Sequence, residues 1–588
     1  MIYRANKSKG NGGLVRYDRI NFLAVLVFIF AFVLILRLFN IQVIQHPFYD
    51  ALAKGQHELY QKLLPERGDI FVRDKANPDK LFSLATNQQL NFIYAVPKNI
   101  KDPAEAADKI SKALDLDQQT LETRFSKQED IFEPIKHGAS DEEWEKVEAL
   151  NIEGIEVSPE NGRYYPENQI GSHVLGFVGQ RAESEEKMGQ YGLEGYFNQE
   201  LAGQQGFIQT EKDAGGRWIT VGGLKIQEAE DGADLVLTID HTIQYTACSK
   251  LEAEVKKHGA DSGSLIIMEP KTGAILAMCG YPDYDPNRYN EVENIEVYKN
   301  PAVYSTYEPG SVFKPFTMAA ALDQGKVTPQ TTYTDAGEEK IGPYTIKNSD
   351  GKANGVQTMT EVLEKSLNTG AIFAMREIGE KTFYKYVKDF GFGEKTNITL
   401  DTESSGDISN LKTYKEIYAA TASFGQGITA TPLQIVSGFA AIANKGKLMK
   451  PYIVDEIIKP NGFKEKTAPQ EVRQVISPQT ATTLGAMLVN VVKNGHGQRA
   501  GVDGYFVAGK TGTAQVPKKD GPGYETDFTI GTFCGFAPVD DPKFAMIIKI
   551  DRPRDVMWAE SSAAPLFGEL AKFLLQYYEI PPSVEVGE

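Results

Sequence analysis

The chain has 588 residues, and because single cores rarely grow beyond about 300 residues, two or more domains are expected. A content of 41% hydrophobic and 24% charged residues, with 54 Gly and 29 Pro, excludes a collagen-like, mucin-like or wholly disordered protein. Lys and Arg number 62 against 79 Asp and Glu, a formal charge of −17 without a long basic block, which argues against a nucleic-acid carrier.

From the N-terminus, Phe22 to Leu36 is an unbroken apolar run that continues through Arg37 towards Ile44. Although short for a ~30 Å hydrocarbon layer, it reads as a retained transmembrane anchor over 22–44. Arg4, Lys7, Lys9, Arg16 and Arg19 precede it against Asp18 alone. That bias predicts residues 1–21 as a cytoplasmic tail and the rest as outside, a single-pass protein of the cytoplasmic membrane. Residues 40–60 read as a helical, polar-amphipathic stalk, and 63–82 as the start of a small β-rich region. Ser140 and Glu143 form a capping-box signature ahead of Trp144, Val147 and Leu150. Asp234–Asp240 reads as a strand and Gln244–Lys257 as the helix after it. Residues 45–240 are thus expected to be a non-catalytic pedestal.

Beyond Asp261, Ser264–Glu269 and Ala274–Met278 predict a hairpin closed by Pro-Lys-Thr-Gly. A helix-rich middle runs from about 311 to 444. Strands return at 506–508, 527–536 and 544–550, and Pro565–Tyr578 carries apolar residues at helical spacing. Strands at both ends of a helical region predict one sheet assembled from distant segments, an α+β domain over about 260–580. The three cysteines, Cys248, Cys279 and Cys534, are isolated in sequence. Each reads as a small buried side chain, and all three are expected to stay unpaired. Seven scattered histidines, with no HExxH, argue against a zinc hydrolase.

Three short segments carry chemistry. In Glu308-Pro309-Gly310-Ser311-Val312-Phe313-Lys314-Pro315, Pro-Gly places Ser311 near a helix N-terminus and Lys314 returns to the same face. A hydroxyl needs a base beside it, and an amine supplies one when desolvation or a nearby cation lowers its pKa. The same Ser-x-x-Lys spacing recurs at Ser184/Lys187 and Ser409/Lys412, where a solvent-facing serine and a surface lysine account for it. Second, Ser366-Leu367-Asn368 puts a hydroxyl and an amide on one cleft only if a helix is interrupted, and Asn-Thr-Gly is the expected break. Third, Lys510-Thr511-Gly512-Thr513 follows an apolar strand and offers a cation, a hydroxyl and a backbone edge open to a peptide ending in a carboxylate. Lys271-Thr272-Gly273 repeats the triplet within the first hairpin turn. No P-loop is formed, because a polar loop rather than a helix follows.

Ser-x-x-Lys, Ser-x-Asn and Lys-Thr-Gly in that order resemble the motif set of penicillin-binding proteins and active-site-serine β-lactamases. The chain resembles a class B penicillin-binding protein over almost its full length. Arg67-Gly68-Asp69-Ile70, Arg163-Tyr164-Tyr165-Pro166, Gly192-Leu193-Glu194, Asp285-Pro286-Asn287, Ser423–Gly427 and Thr431–Gln434 are similar to further elements of that family. The resemblance implies a dimerisation-type pedestal and a transpeptidase domain with a central antiparallel sheet between helical layers. It further implies a catalytic set of Ser311 as the acylated nucleophile, Lys314 as its base, Ser366 and Asn368 as proton relay and substrate holder, and Lys510, which with Thr511 would bind substrate and tune the site, with Thr511, Gly512 and Thr513 as substrate-binding residues. Backbone N–H groups of Ser311 and Thr513 would form the oxyanion hole. The implied reaction is cross-linking of peptidoglycan stem peptides, closer to the division-specific FtsI type than to the elongation type, with inhibition by β-lactams and without a cofactor or metal. Implied partners are nascent or lipid-linked glycan strands, a polytopic membrane glycan polymerase and divisome proteins, and no nucleic acid. A D,D-carboxypeptidase and a catalytically idle scaffold remain open alternatives. Two departures from the family pattern are Leu367 within Ser-x-Asn and Pro301 in Asn300-Pro301-Ala302.

Overall fold

The computed structural model describes residues 58–181, 184–211, 225–518 and 523–583, with residue 521 and a few positions between 27 and 35. Two compact units divide the chain. The smaller, drawn from residues 1–65 and 204–230, carries an antiparallel sheet in the order Glu58–Leu63, Gly206–Glu211, Lys225–Gln227. Residues 58–60 are therefore strand and not the end of a helical stalk. Six residues paired with a neighbouring strand satisfy their backbone groups better than a helix of that length would. The remainder of the expected stalk lies outside the described residues.

The expected membrane anchor is corrected. Among the described residues, no helix is long and apolar enough to cross a membrane. Most of 22–44 lies outside the described residues. The transmembrane helix, and the membrane assignment and single-pass localisation that rest on it, are therefore not borne out among the described residues.

The larger unit comprises residues 66–203 and 231–588. Its first part is built on the long strand Asn77–Ala95, which pairs with Ile70–Asp74, Glu133–Ala139 and Ile155–Tyr164. Helices Pro103–Leu114, Gln118–Phe125 and Asp141–Glu148 close a satellite core around Ile93, Ile110, Leu121 and Phe125. The third of these starts with the expected capping box, Ser140 and Glu143 exchanging side-chain bonds with each other's backbone N–H. Asp234–Asp240 pairs with Ile70–Asp74 on one edge and Val454–Ile458 on the other, so one sheet joins early and late segments of the chain.

A five-stranded antiparallel sheet forms the centre of the second part, in the order Ile275–Tyr281, Ser262–Met268, Phe544–Asp551, Tyr524–Ala537, Ala508–Pro517. Both faces are covered, so its central strands are apolar on both sides. Leu265 and Ile267 point into a core with the helices His241–Lys257 and Ala563–Tyr577, while Ile266 and Met268 join the opposite core, with Leu433, Phe439 and Leu488. The second core supports the helices Lys314–Asp323, Pro432–Ala443 and Pro478–Asn494.

The expectation of three unpaired cysteines also fails. Helix His241–Lys257 lies on strand Ile275–Tyr281 and brings Cys248 and Cys279 to a Cα separation of 5.4 Å, where they form a disulfide. Contact between a helix face and a strand 31 positions away is a tertiary feature that isolated spacing does not reveal. Cys534 stays a buried free thiol, its pKa pushed well up by burial.

Candidate active site

Ser311 sits in the 3-10 turn Gly310–Phe313, which runs directly into helix Lys314–Asp323. Pro315 occupies the helix's first turn, where its missing N–H costs nothing. Val312 and Phe313 are fully buried, so the turn is anchored from below while Ser311 remains partly open to a cavity of about 580 Å³. That cavity is also lined by Asn368, Thr513, Thr345–Lys347, Tyr524 and Trp558.

Lys314 is 1% exposed, and its Nζ donates to Ser366 O and, at 3.2 Å, to Ser366 Oγ. Burial, aided by the Lys510 ammonium, holds its pKa well below the usual lysine range. Lys510 is fully buried on the edge strand Ala508–Pro517, donating to Thr511 O at 3.1 Å and Thr511 Oγ1 at 3.3 Å. Desolvation pulls its pKa down to about 7. Among the described residues neither amine has a carboxylate partner.

Ser366 is not on a helix. Helix Met359–Glu364 ends, Ser366 takes a left-handed conformation at φ +56°, and a new helix begins at Asn368. The Asn-Thr-Gly sequence therefore opens a helix, and the break precedes it. The strand expected to stop at 508 instead runs through the Lys-Thr-Gly-Thr segment, because Tyr524–Ala537 pairs with it residue for residue. Gly512 permits close packing there, since a Cβ would meet Pro309 O at 2.9 Å and Val312 N at 3.0 Å. Thr511 is buried, and Thr513 Oγ1 accepts from Ala559 N at 3.2 Å.

Three separate segments thus bring Ser311, Lys314, Ser366, Asn368, Lys510, Thr511, Gly512 and Thr513 together: Ser311, Asn368 and Thr513 line the cavity, Lys314 bonds to Ser366 behind it, and Gly512 packs on the turn that carries Ser311. The repeated motifs do not join them. Lys187 pairs with Glu160, Lys271 with Asp541, and Lys412 is exposed. Pro301 packs against Gly280, outside the cavity lining, and begins the short helix that Asn300 caps.

Asp335 and Asn348 are contributors that carry no motif signal, whereas Glu308, Arg67, Arg163, Glu194 and Asn287 lie in segments that the sequence singles out. Glu308 accepts from Gly427 N and Tyr524 OH, both at 2.9 Å, tying the turn that carries Ser311 to two neighbouring segments. Asp335 and Asn348 support Asn368 from behind. Farther off, Arg67, Arg163 and Glu194 meet in one buried cluster. Each arginine Nε donates to a different Glu194 oxygen at 2.7 Å, and Asn287 exchanges two bonds of 2.9 Å with the Tyr165 backbone. A separate cavity of about 410 Å³, lined among others by Glu394, Gln434, Ser437 and Arg473, contains none of the expected site residues.

Residues 263–572 match the penicillin binding protein transpeptidase domain, and residues 62–237 match the penicillin-binding protein dimerisation domain. Stage V sporulation protein D of Bacillus subtilis (strain 168) is 33% identical over 552 residues, covering 93% of this chain and 83% of that protein. The peptidoglycan D,D-transpeptidase FtsI homolog of Mesostigma viride is 30% identical over 596 residues, 97% of each chain. Penicillin binding protein 3 of Mycobacterium tuberculosis, solved with ampicillin, is 26% identical with a TM-score of 0.68, over 90% of this chain and 98% of that one. With both domains matched in chain order over nearly the whole length, the chain belongs to the class B, FtsI-like penicillin-binding proteins and is a serine-type transpeptidase.

Proposed function

We propose that the chain is a peptidoglycan D,D-transpeptidase of septal cell-wall synthesis, with Ser311 as nucleophile and Lys314 as its base. The observation that carries the assignment is Lys314: a buried amine, one helical turn from Ser311, bonded to Ser366 and, among the described residues, without a carboxylate to keep it charged. Neutral Lys314 takes the Ser311 proton as Oγ attacks the penultimate D-alanine carbonyl of a stem peptide. Backbone N–H groups of Ser311 and Thr513 receive the oxyanion, and Gly512 lets the peptide lie along the sheet's open edge. The proton passes through Ser366 to the departing D-alanine amine as the acyl-enzyme forms. An amine of a neighbouring stem then attacks that ester, gives up its proton to Lys314, and leaves a cross-linking amide with Ser311 restored. Asn368 holds a substrate carbonyl, while Lys510 and Thr511 hold the terminal carboxylate. A β-lactam is attacked in the same way, but its leaving nitrogen stays tethered, which supports penicillin as an inhibitor.

The name of one relative, a peptidoglycan D,D-transpeptidase FtsI homolog, supports the transpeptidase reading. Residues 45–240 serve as a docking pedestal and 260–580 as the transpeptidase domain, with glycan strands, a glycan polymerase and divisome proteins as partners.

The test is mass spectrometry after penicillin and after a D-Ala-D-Ala thioester analogue. One adduct is expected, on Ser311, absent in Ser311→Ala and formed more than ~10²-fold more slowly in Lys314→Met. Near-wild-type acylation of Lys314→Met, or an adduct on another serine, defeats the assignment. Hydrolysis without transfer to any acceptor amine would make the enzyme a carboxypeptidase.

A further inference from the structure

Asp335 ends the strand Thr332–Asp335 and is 1% exposed, yet among the described residues it has no cationic partner. Six hydrogen bonds replace one. Oδ1 accepts from Gly337 N at 2.9 Å, Thr369 Oγ1 at 2.8 Å and Asn348 Nδ2 at 3.0 Å. Oδ2 accepts from Asn354 N at 3.0 Å, Asn354 Nδ2 at 2.7 Å and Asn348 Nδ2 at 2.9 Å. Burial pushes its carboxyl up, but these donors more than offset that, and its pKa lies below the usual range. A buried anion is a costly way to fill space, so what its donors hold in place matters.

Asn348 is the donor that reaches the site. With its Nδ2 fixed by Asp335, its Oδ1 accepts from Asn368 N at 2.9 Å and Thr369 N at 3.2 Å. These are the first N–H groups of helix Asn368–Ile378, whose own N-cap residue, Leu367, offers no side-chain bond. The missing cap is supplied from 20 positions upstream. Asp335, Asn348 and Asn354 also close the neck of the hairpin Glu338–Ile341/Tyr344–Lys347, which lines the cavity through Thr345, Ile346 and Lys347. Lys347 O accepts from Asn368 Nδ2 at 2.8 Å. One cluster therefore sets the cavity wall, the Asn368 side chain and the turn holding Ser366 in its left-handed conformation, a geometry that persists only when its surroundings over-determine it.

We infer that Asp335 and Asn348 are positioning residues for acyl transfer: Asp335 orients the Asn348 side chain, and Asn348 caps and aims the turn that presents Ser366 and Asn368 to the acylating serine. This rests on the assignment of Ser311 as nucleophile. Neither residue touches the Lys314 amine, so their loss lowers the rate without changing which pH activates the base.

The experiment measures second-order penicillin acylation against pH, with thermal midpoints, for wild type, Asp335→Asn, Asn348→Ala, Asn348→Ser and the double variant Asp335→Asn/Asn348→Ala. Folded Asn348→Ala should acylate about 10- to 100-fold more slowly at the plateau, as expected for misplaced groups, with an unmoved pH midpoint. Asn348→Ser, which keeps an oxygen acceptor, should recover part of that loss. The double variant should be no slower than the slower single one, because both act along one path. If Asp335→Asn does not fold, the two Asn348 variants decide alone. Wild-type rates in Asn348→Ala, a shifted midpoint, additive losses or no recovery by serine would each overturn the inference. Absence of a Ser311 adduct in the wild type would instead overturn the assignment beneath it.

Discussion

Two lysine amines lie buried close together, among the described residues neither has a carboxylate partner, and burial works against the charge of each. Lys510 has a folded pKa of about 7 against about 10.5 in the unfolded chain. Between those values the unfolded state binds more protons, so this group makes stability rise with pH across that window and contributes a constant penalty below it. Lys510→Met removes the penalty. The variant should melt higher than wild type near pH 6.5, and its advantage should shrink towards pH 10; an advantage that does not shrink would show that Lys510 is charged in the folded protein. The same variant bears on Lys314, proposed above to act as a base in its neutral form. Acylation should rise with pH and level off well below the usual lysine range, because burial and the Lys510 charge both lower the Lys314 pKa. Without Lys510 the rising limb should move to higher pH, and a limb that stays in place would mean that burial alone sets it.

Nucleophile turn, Ser423–Gly427 loop and edge strand are locked through backbone contacts that leave no room for side chains. Gly310 N donates to Gly425 O at 3.0 Å, and Gly425 sits at φ +81° with a notional Cβ only 2.2 Å from Gly310 O. Gly425→Ala should cost more than about 1 kcal/mol in urea denaturation, since both the backbone conformation and the contact resist it. It should also slow acylation by displacing Ser311, and a destabilised variant with an unchanged rate would separate the loop from the site. Local spacing singles out Ser311, Lys314, Ser366, Asn368 and Lys510 in the sequence, because they sit in short motifs on recognisable elements, and the structure places those motifs side by side. Capping at Ser140 and the strand–helix unit at 234–257 were legible for the same reason. Asp335 and Asn348 were not, because a polar cluster joined across loops has no period. The edge strand was read too short, since Lys-Thr-Gly-Thr lacks apolar alternation and is held extended by its partner strand. Helix Asn368–Ile378 begins at a sequence that reads as a breaker because its cap comes from Asn348, not from the preceding residue.

At the scale of the molecule, segments far apart in sequence fix one another. Glu194 is fully buried between Arg67 and Arg163; burial pushes its carboxyl up, and the two guanidinium groups bring it below the usual range. Such a network is weak evidence for stability by itself, but it specifies how the Arg67, Arg163 and Glu194 segments meet. Asn287 then clamps Tyr165 to the segment ahead of the nucleophile. The disulfide adds a covalent tie at the far face of the central sheet, joining Cys248 on helix His241–Lys257 to Cys279 on the strand at the opposite edge from Lys510. Closing a loop across a separation of 31 residues constrains the unfolded chain by about 3–4 kcal/mol in the chain-entropy treatment. Thiol titration of the denatured, unreduced protein should therefore find one free group, Cys534, and three after reduction. Cys248→Ser should lower the thermal midpoint, while penicillin acylation of the still-folded protein at low temperature should change little, because the bond lies on the side of the sheet away from Ser311. Three free thiols before reduction would remove the tie. A strongly slowed acylation in folded Cys248→Ser would mean that the edge it anchors reaches the cleft through the sheet.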